Sequence, residues 1–257
     1  MNILVCLKAV PSTGNVSVDG SFRLRRDGTR LEWNVADQGA LEAALTLKGA
    51  DGAVTVITMG PETCKDNLRE LFSRGADRAL LLTDLAFAGS DTYATARILS
   101  EAVRKTGPYD LILCGRRAID GETGQVPGML AAALGLPSVS NAEKILSDGG
   151  ALLVKRRLED RETTLSVSLP AVVSVCEYTY SLRLPGILGM RRAKGKEAEL
   201  LSLADLGLSA EACGLLGSLT RVIGMDTRFP GLRKGPRDRE LSVALPRLRE
   251  MLGREKR

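Results

Sequence analysis

Leu111-Ile112-Leu113-Cys114-Gly115-Arg116-Arg117-Ala118-Ile119-Asp120-Gly121-Glu122-Thr123-Gly124-Gln125-Val126 is the stretch that decides how this chain is read. A short apolar run ends at a glycine, a loop rich in Gly, Thr and acidic residues follows, and residues 129–134 read as a helix. A strand that feeds a helix through such a loop presents free backbone N–H groups at the helix N-terminus, where phosphate is favoured. The stretch therefore predicts an α/β fold and a nucleotide ligand.

Working outward, apolar β-branched runs alternate with helical patterns. Residues 3–7, 54–59, 79–82 and 111–114 read as core strands, and 36–48, 61–74 and 91–105 as the helices between them. Asn34 stands as an N-cap for the first helix with Asp37 three residues on, and the second has Pro at its start and Gly75 past its end. Strands separated by helices of this length imply an open, mostly parallel, doubly wound sheet with helices on both faces. Residues 16–18 and 23–25 suggest a hairpin. After Pro137 the pattern changes: 152–158 and 162–169 look like an antiparallel pair, and 171–175 is a fully apolar strand. From about residue 191 the chain is basic and Gly-punctuated until a helix near 240–252. We expect an α/β domain over 1–190 and a C-terminal arm over 191–257.

Bulk properties narrow the function. With 257 residues, 44% of them hydrophobic and 26% charged, the chain has the composition of an ordinary globular protein able to bury a large core. No apolar run approaches the roughly 18 residues of a membrane span. The first residues lack a signal-peptide pattern, so a cytoplasmic location is expected. Five scattered cysteines, never spaced C-x-x-C, argue against a disulfide framework and against a metal site. The absence of histidine removes Ser-His-Asp and Cys-His catalysis. Residues 191–257 hold 15 Lys and Arg against 9 Asp and Glu. These are mixed with acids and carry no nucleic-acid recognition motif, so a solvated or partner-facing tail is expected rather than a nucleic-acid surface.

Open α/β sheets bind ligands beyond the carboxyl ends of their strands. Four segments fall there: 8–15, 59–61, 88–92 and 120–126. Ser90, Thr92 and Thr123 offer hydroxyls, and Gly60, Gly89, Gly121 and Gly124 permit close backbone approach. Singly each helix-opening turn is also an N-cap candidate; three on one edge point to a nucleotide cleft. The P-loop and dinucleotide-binding glycine patterns are absent. A second distinctive stretch, Leu184-Pro185-Gly186-Ile187-Leu188-Gly189-Met190, is an apolar knob between Pro/Gly breaks and a basic run. It reads either as a hydrophobic anchor or as a docking surface.

Several of these residues together carry a resemblance. Ile3-Leu4-Val5-Cys6-Leu7-Lys8-Ala9-Val10-Pro11, Asn34 with Glu42-Ala43-Ala44-Leu45, Met59-Gly60-Pro61, Gly75-Ala76-Asp77-Arg78-Ala79, Ala118-Ile119-Asp120-Gly121-Glu122-Thr123, Leu169-Pro170-Ala171-Val172-Val173 and the run from Met190 to Lys196 stand in the order of the electron transfer flavoprotein β subunits, the group that includes the FixA-type proteins. The chain resembles that family along nearly its whole length. The resemblance implies an adenine-nucleotide-α-hydrolase-like domain paired with an α subunit, which the arm 191–257 would contact. FAD is then shared with the α subunit, with residues 8–15 forming the wall on its isoalloxazine side. A cleft in the β subunit holds AMP in the plain family or a second FAD in the electron-bifurcating branch driven by NADH. Matching positions for that nucleotide are Cys6, Asn34, Met59, Asp120, Gly121, Glu122, Thr123, Gly124, Gln125 and Val126. Ser90, Asp91, Thr92 and Thr95 resemble the bifurcating branch, where a Ser-Asp-Thr turn cradles the diphosphate of the second FAD.

Residues 178–190 match the loop that docks partner dehydrogenases, of the acyl-CoA type or other flavin enzymes, with Arg183, Ile187 and Met190 as docking residues. This chain departs from the family at three places. Ser181-Leu182-Arg183 replaces an acidic-Pro-Arg sequence, Arg157 stands where an interdomain glutamate is usual, and Val126-Pro127-Gly128 replaces Val-Gly-Pro. The expected protein is an electron carrier subunit rather than a stand-alone catalyst, since the flavin supplies the redox chemistry. The rival expectation is a homodimeric adenine-nucleotide-binding regulatory or stress module of the same fold.

Overall fold

The first strand, β1 (Asn2–Cys6), is buried on both faces, Ile3 and Val5 in one apolar cluster and Leu4 in the other, and this places it in the middle of a sheet. A computed structural model describes residues 1–12, 31–148, 150–159, 161–223 and 241–254. The hairpin expected over 16–25 lies outside the described residues. After β1 come β2 (Ala9–Pro11) and β3 (Leu31–Trp33), which pair antiparallel as a separate ribbon. Then follow α1 (Val35–Leu47), β4 (Ala53–Met59), α2 (Cys64–Arg74), β5 (Arg78–Leu82), α3 (Thr92–Thr106), β6 (Leu111–Gly115) and α4 (Val126–Leu134). The chain continues through β7 (Ser138–Asp148), β8 (Ala151–Leu158), β9 (Arg161–Ser168), β10 (Ala171–Val175), α5 (Ile187–Ala193), β11 (Glu199–Leu201) and α6 (Gly214–Gly217).

Nine strands form one sheet in the order β11-β5-β4-β1-β6-β10-β7-β8-β9. It is parallel from β11 through β7 and antiparallel over β8 and β9. Helices α1 and α2 cover one face with Leu41, Leu68, Leu71 and Phe72; α3 and α4 cover the other with Ile98, Leu99 and Leu130. This is the doubly wound architecture that the alternating pattern implied. From β1 the chain steps outward to β4 and β5, then returns to lay β6 on the other side of β1. The strand order therefore reverses between β1 and β6, the kind of switch point at whose carboxyl edge open α/β sheets bind ligands.

Several bounds differ from expectation. Residues 61–63 form a turn, not the first turn of α2, with the Cys64 N–H bonded to the Pro61 carbonyl. Helix α4 starts at Val126, so its Pro127 sits in the first turn where its missing N–H costs nothing. Residues 1–222 form one compact unit and 223–257 a second, in which α7 (Leu241–Arg254) is described. No helix among the described residues is long and apolar enough to cross a membrane. Among the same residues no group of three or more His, Cys, Asp or Glu could hold a metal ion.

Candidate functional site

The exits of β1 and β6 are held together by two residues of the α1 N-terminus. Asn34 is fully buried, yet its side chain does not cap the helix. Its Nδ2 donates to the Arg117 carbonyl at 2.9 Å, and its Oδ1 accepts the Ile119 N–H at 3.2 Å. The Asn34 backbone N–H donates to the Lys8 carbonyl at 3.0 Å, so one residue joins the exits of both strands. Asp37 does the same with its carboxylate: Oδ2 accepts the Lys8 N–H at 2.7 Å and Oδ1 the Gly115 N–H at 2.9 Å. The pair that looks like a helix cap in sequence is a clamp across the switch point. Burial pushes the Asp37 carboxyl up to about 7, against the pull of the Lys8 and Gly115 amides and of Asn34.

The loop 116–126 leaves this clamp and leads from β6 into α4. Lys8 Nζ reaches across to Asp120 Oδ1 at 2.7 Å and joins the β1 exit to this loop. Arg116 and Arg117 both pair with Glu177 beyond β10, at 3.0 and 2.9 Å. Burial opposes ionisation of Glu177, but its own backbone N–H and the two guanidinium groups hold its carboxyl below the ordinary range. The residues from Gly121 to Gln125 are exposed, and a side chain at Gly121 would meet nothing within 4 Å. Glu122 and Gly124 adopt the left-handed backbone region with φ of 51° and 63°, which turns the loop toward α4. The result is a firmly anchored loop with an open crest of backbone groups, as a phosphate ligand requires.

The other expected positions lie around the same edge. Cys6 closes β1 in register with Cys114 of β6. A hydrogen bond from the Cys114 thiol to Cys6, with burial, raises that thiol well above its usual value, so it is a packing group rather than a reactive one. Met59, half-buried, ends β4. Thr92 opens α3 and its hydroxyl lies 3.0 Å from Gln125 Oε1, linking the N-termini of α3 and α4. Thr95 lies half-buried in the first turn of α3. Ser90 and Asp91 turn the other way. Ser90 Oγ accepts the Gly214 N–H, while Asp91 caps α3 through the Ala94 N–H and accepts the Thr220 N–H and hydroxyl at 2.8 and 2.9 Å. These two side chains bind the segment 214–220 to the sheet edge. Of the Ser-Asp-Thr turn, Thr92 is the residue whose hydroxyl is linked to the nucleotide loop.

The segment 178–190 is a different kind of surface. Arg183 binds Glu42 of α1 through its guanidinium at 2.7 Å and through its backbone N–H at 3.0 Å, and its carbonyl accepts Arg74 at 2.7 Å. Tyr180 packs back against the core, its hydroxyl accepting the Ile145 N–H at 2.9 Å. From this anchor Leu184, Ile187, Leu188 and Met190 project outward, Ile187 being 76% exposed. A groove of about 780 Å³ runs between α2 and α5, lined by Arg69, Ser73, Ile187, Met190 and Lys194 among others. Sequence reasoning singled out Ile187 and Met190. It did not assign site roles to Asp37, Arg117 and Glu177, whose partners lie far along the chain.

The electron transfer flavoprotein domain family matches residues 22–206. The chain is 42% identical over 230 residues to an electron transfer flavoprotein subunit beta of Thermoanaerobacterium thermosaccharolyticum, with 88% of each chain covered. It is 39% identical over 225 residues to the caffeyl-CoA reductase-Etf complex subunit CarD of Acetobacterium woodii, with 86% of each covered. Protein FixA of Azorhizobium caulinodans is 39% identical over 232 residues, covering 86% of this chain and 83% of its own.

Proposed function

Since this chain belongs to the electron transfer flavoprotein family and serves electron transfer as a β subunit, we propose how its two surfaces divide the work. Flavin carries the electrons; the protein's part is to bind, orient and tune it. The crevice between β1 and β6 takes an adenosine phosphate, either AMP or the adenosine end of a second FAD. One observation carries this: Asn34 and Asp37 rigidly join the exits of β1 and β6 while the loop crest at 121–125 stays open. Such a site is prepared before the ligand arrives, which lowers the ordering cost of binding.

Residues 8–15, of which 13–15 lie outside the described residues, form the isoalloxazine-side wall of the flavin shared with an α subunit, and the arm 191–257 contacts that subunit. The apolar segment 178–190 docks a flavin dehydrogenase in the cytoplasm. Thr92 supports a second FAD, whereas Ser90 and Asp91 lend it no side chains, since both bind the segment 214–220. The homodimeric regulatory module is not favoured, because the relatives in hand are flavoprotein subunits. The test is to purify the chain with its α subunit and count flavin and AMP per pair. One FAD with one AMP gives the plain carrier, and two FAD give the bifurcating one. A folded pair without adenine nucleotide in the β crevice overturns this reading.

A further inference from the structure

A buried carboxylate is a costly choice for the first turn of a helix, since several kcal/mol of lost hydration must be offset by hydrogen bonds. Asp37 is 6% exposed, and the fit around it is tight. A Cβ at Gly115 would lie 2.2 Å from its Oδ1 and 2.7 Å from its backbone nitrogen, so the β6 exit closes directly onto the carboxyl. Each oxygen takes one N–H, from Lys8 two residues past β1 and from Gly115, the last residue of β6. An apolar residue would leave both donors unpaired. An asparagine offers one acceptor and turns an NH2 toward the other donor. Only a group with two acceptor oxygens serves both strands.

We propose that Asp37 is a positioning residue of the nucleotide site, a two-armed brace that sets the spacing of its two walls, Lys8 on the β1 side and the loop 116–126 on the β6 side. The ligand arm of the test below rests on the adenine-nucleotide reading; the exchange arm does not. The two walls are already joined at their rim by Lys8 and Asp120, and the brace keeps that contact in register from below. The charged and titratable groups facing Asp37 are the Lys8 ammonium and the Cys114 thiol. Because its carboxyl is held near neutrality, loss of one arm on protonation falls within an accessible pH range.

The experiment compares the full chain with Asp37→Asn. In the wild type the amide protons of Lys8 and Gly115 should titrate together with a midpoint near the Asp37 value of about 7, while those of Val5 and Leu113 do not. In the variant this titration disappears, and the Lys8 and Gly115 amides exchange with solvent faster while those inside β1 and β6 keep their protection. The dissociation constant for AMP rises roughly tenfold, the size expected when a buried hydrogen bond is lost, and its change with pH between 6 and 8 flattens. Unaltered exchange at Lys8 and Gly115, or a wild type whose two amides do not titrate together, overturns the brace. The wild-type titration needs no variant and decides the matter even if Asp37→Asn fails to fold. Faster exchange with unchanged AMP affinity overturns the claim that the brace serves the site. A wild type that binds neither AMP nor FAD sinks the nucleotide reading, and the exchange and titration results still decide the brace.

Discussion

Two loops leave neighbouring strands of the same sheet edge and are built on opposite plans. The loop 116–126 follows β6, and its base is tied to Asn34 and Asp37 by three buried or half-buried hydrogen bonds, while its crest at 121–125 is exposed. The segment 178–190 follows β10, carries Leu184, Ile187 and Leu188 into solvent, and is held chiefly through Arg183 on Glu42. A small anionic ligand is recognised by backbone groups that must already be in place. A protein partner is recognised by apolar side chains that must be free. The same sheet edge supplies both because one loop bonds to the first turn of α1 and the other to its middle.

Glycines give the hardest test of this contrast. Gly115→Ala would drive a methyl into Asp37 and should destabilise the chain by about 3 kcal/mol or more, by the overpacking and buried-group mechanisms. Gly186→Ala, in the docking segment, meets nothing within 4 Å and should stay within ~0.5 kcal/mol. Urea unfolding of the two variants measures both. Equal costs would break the contrast. Asn34→Ala should come next, leaving the Arg117 carbonyl and the Ile119 N–H unpaired at a cost of about 2–3 kcal/mol and emptying the crevice of nucleotide. Thermal melting and the nucleotide content of the purified protein read the two effects.

On the docking side the expected effect is on association, not on folding. Ile187→Glu should leave the melting temperature unchanged, since that side chain is mostly exposed, while weakening the encounter with a dehydrogenase at least tenfold, about 1.4 kcal/mol or more for an apolar anchor. The KM for the flavoprotein in a dehydrogenase assay checks it. A fall in stability with unchanged KM would show that Ile187 is a core residue of the groove between α2 and α5.

What was legible in the sequence divides along the same line. The strands β4, β6 and β10 show as mostly apolar runs, broken only by Thr55, Thr58 and Ser174, because both their faces are covered. Strand β7 went unread because only Val139, Ala142 and Ile145 face the core, and a register shift after Ala142 spoils the alternation. Helix α5 has no buried residue, so no apolar period marks it. In the site, the glycines and the strand-turn-helix order disclosed the loop 116–126. The clamp stayed hidden because Asn34 and an acid three residues on are what a helix start looks like. Their real partners lie 83, 85, 29 and 78 positions away, and no local pattern encodes those. Ser90 and Asp91 show a mixed case: Asp91 caps α3 through the Ala94 N–H as its residue type suggests, and both side chains, which resemble a cofactor cradle, also bind the segment 214–220.

The smallest effect sharpens the contrast furthest, because it separates anchoring from contact within the docking segment. Burial opposes ionisation of Glu42, yet the Arg183 guanidinium and N–H hold its carboxyl below the ordinary value of 4.5. A carboxyl with a lowered folded value contributes stability above the unfolded one and loses it as pH falls through the folded one. The latch is therefore intact at neutral pH and opens in acid, as pH falls through the lowered Glu42 value. Arg183 is 46% exposed, so solvent and salt screen the pair and its worth is about 0.5–1 kcal/mol. Arg183→Ala should lower stability by no more than that and leave nucleotide content untouched. It should raise the dehydrogenase KM about two- to fivefold, because Ile187 is then presented from a looser base, an ordering cost of roughly 0.5–1 kcal/mol. In 1 M salt the wild type should lose much of its advantage, since its latch is screened as well. A KM effect that persists undiminished at high salt would mean that Arg183 touches the dehydrogenase itself and that the segment docks through charge as well as through its apolar face.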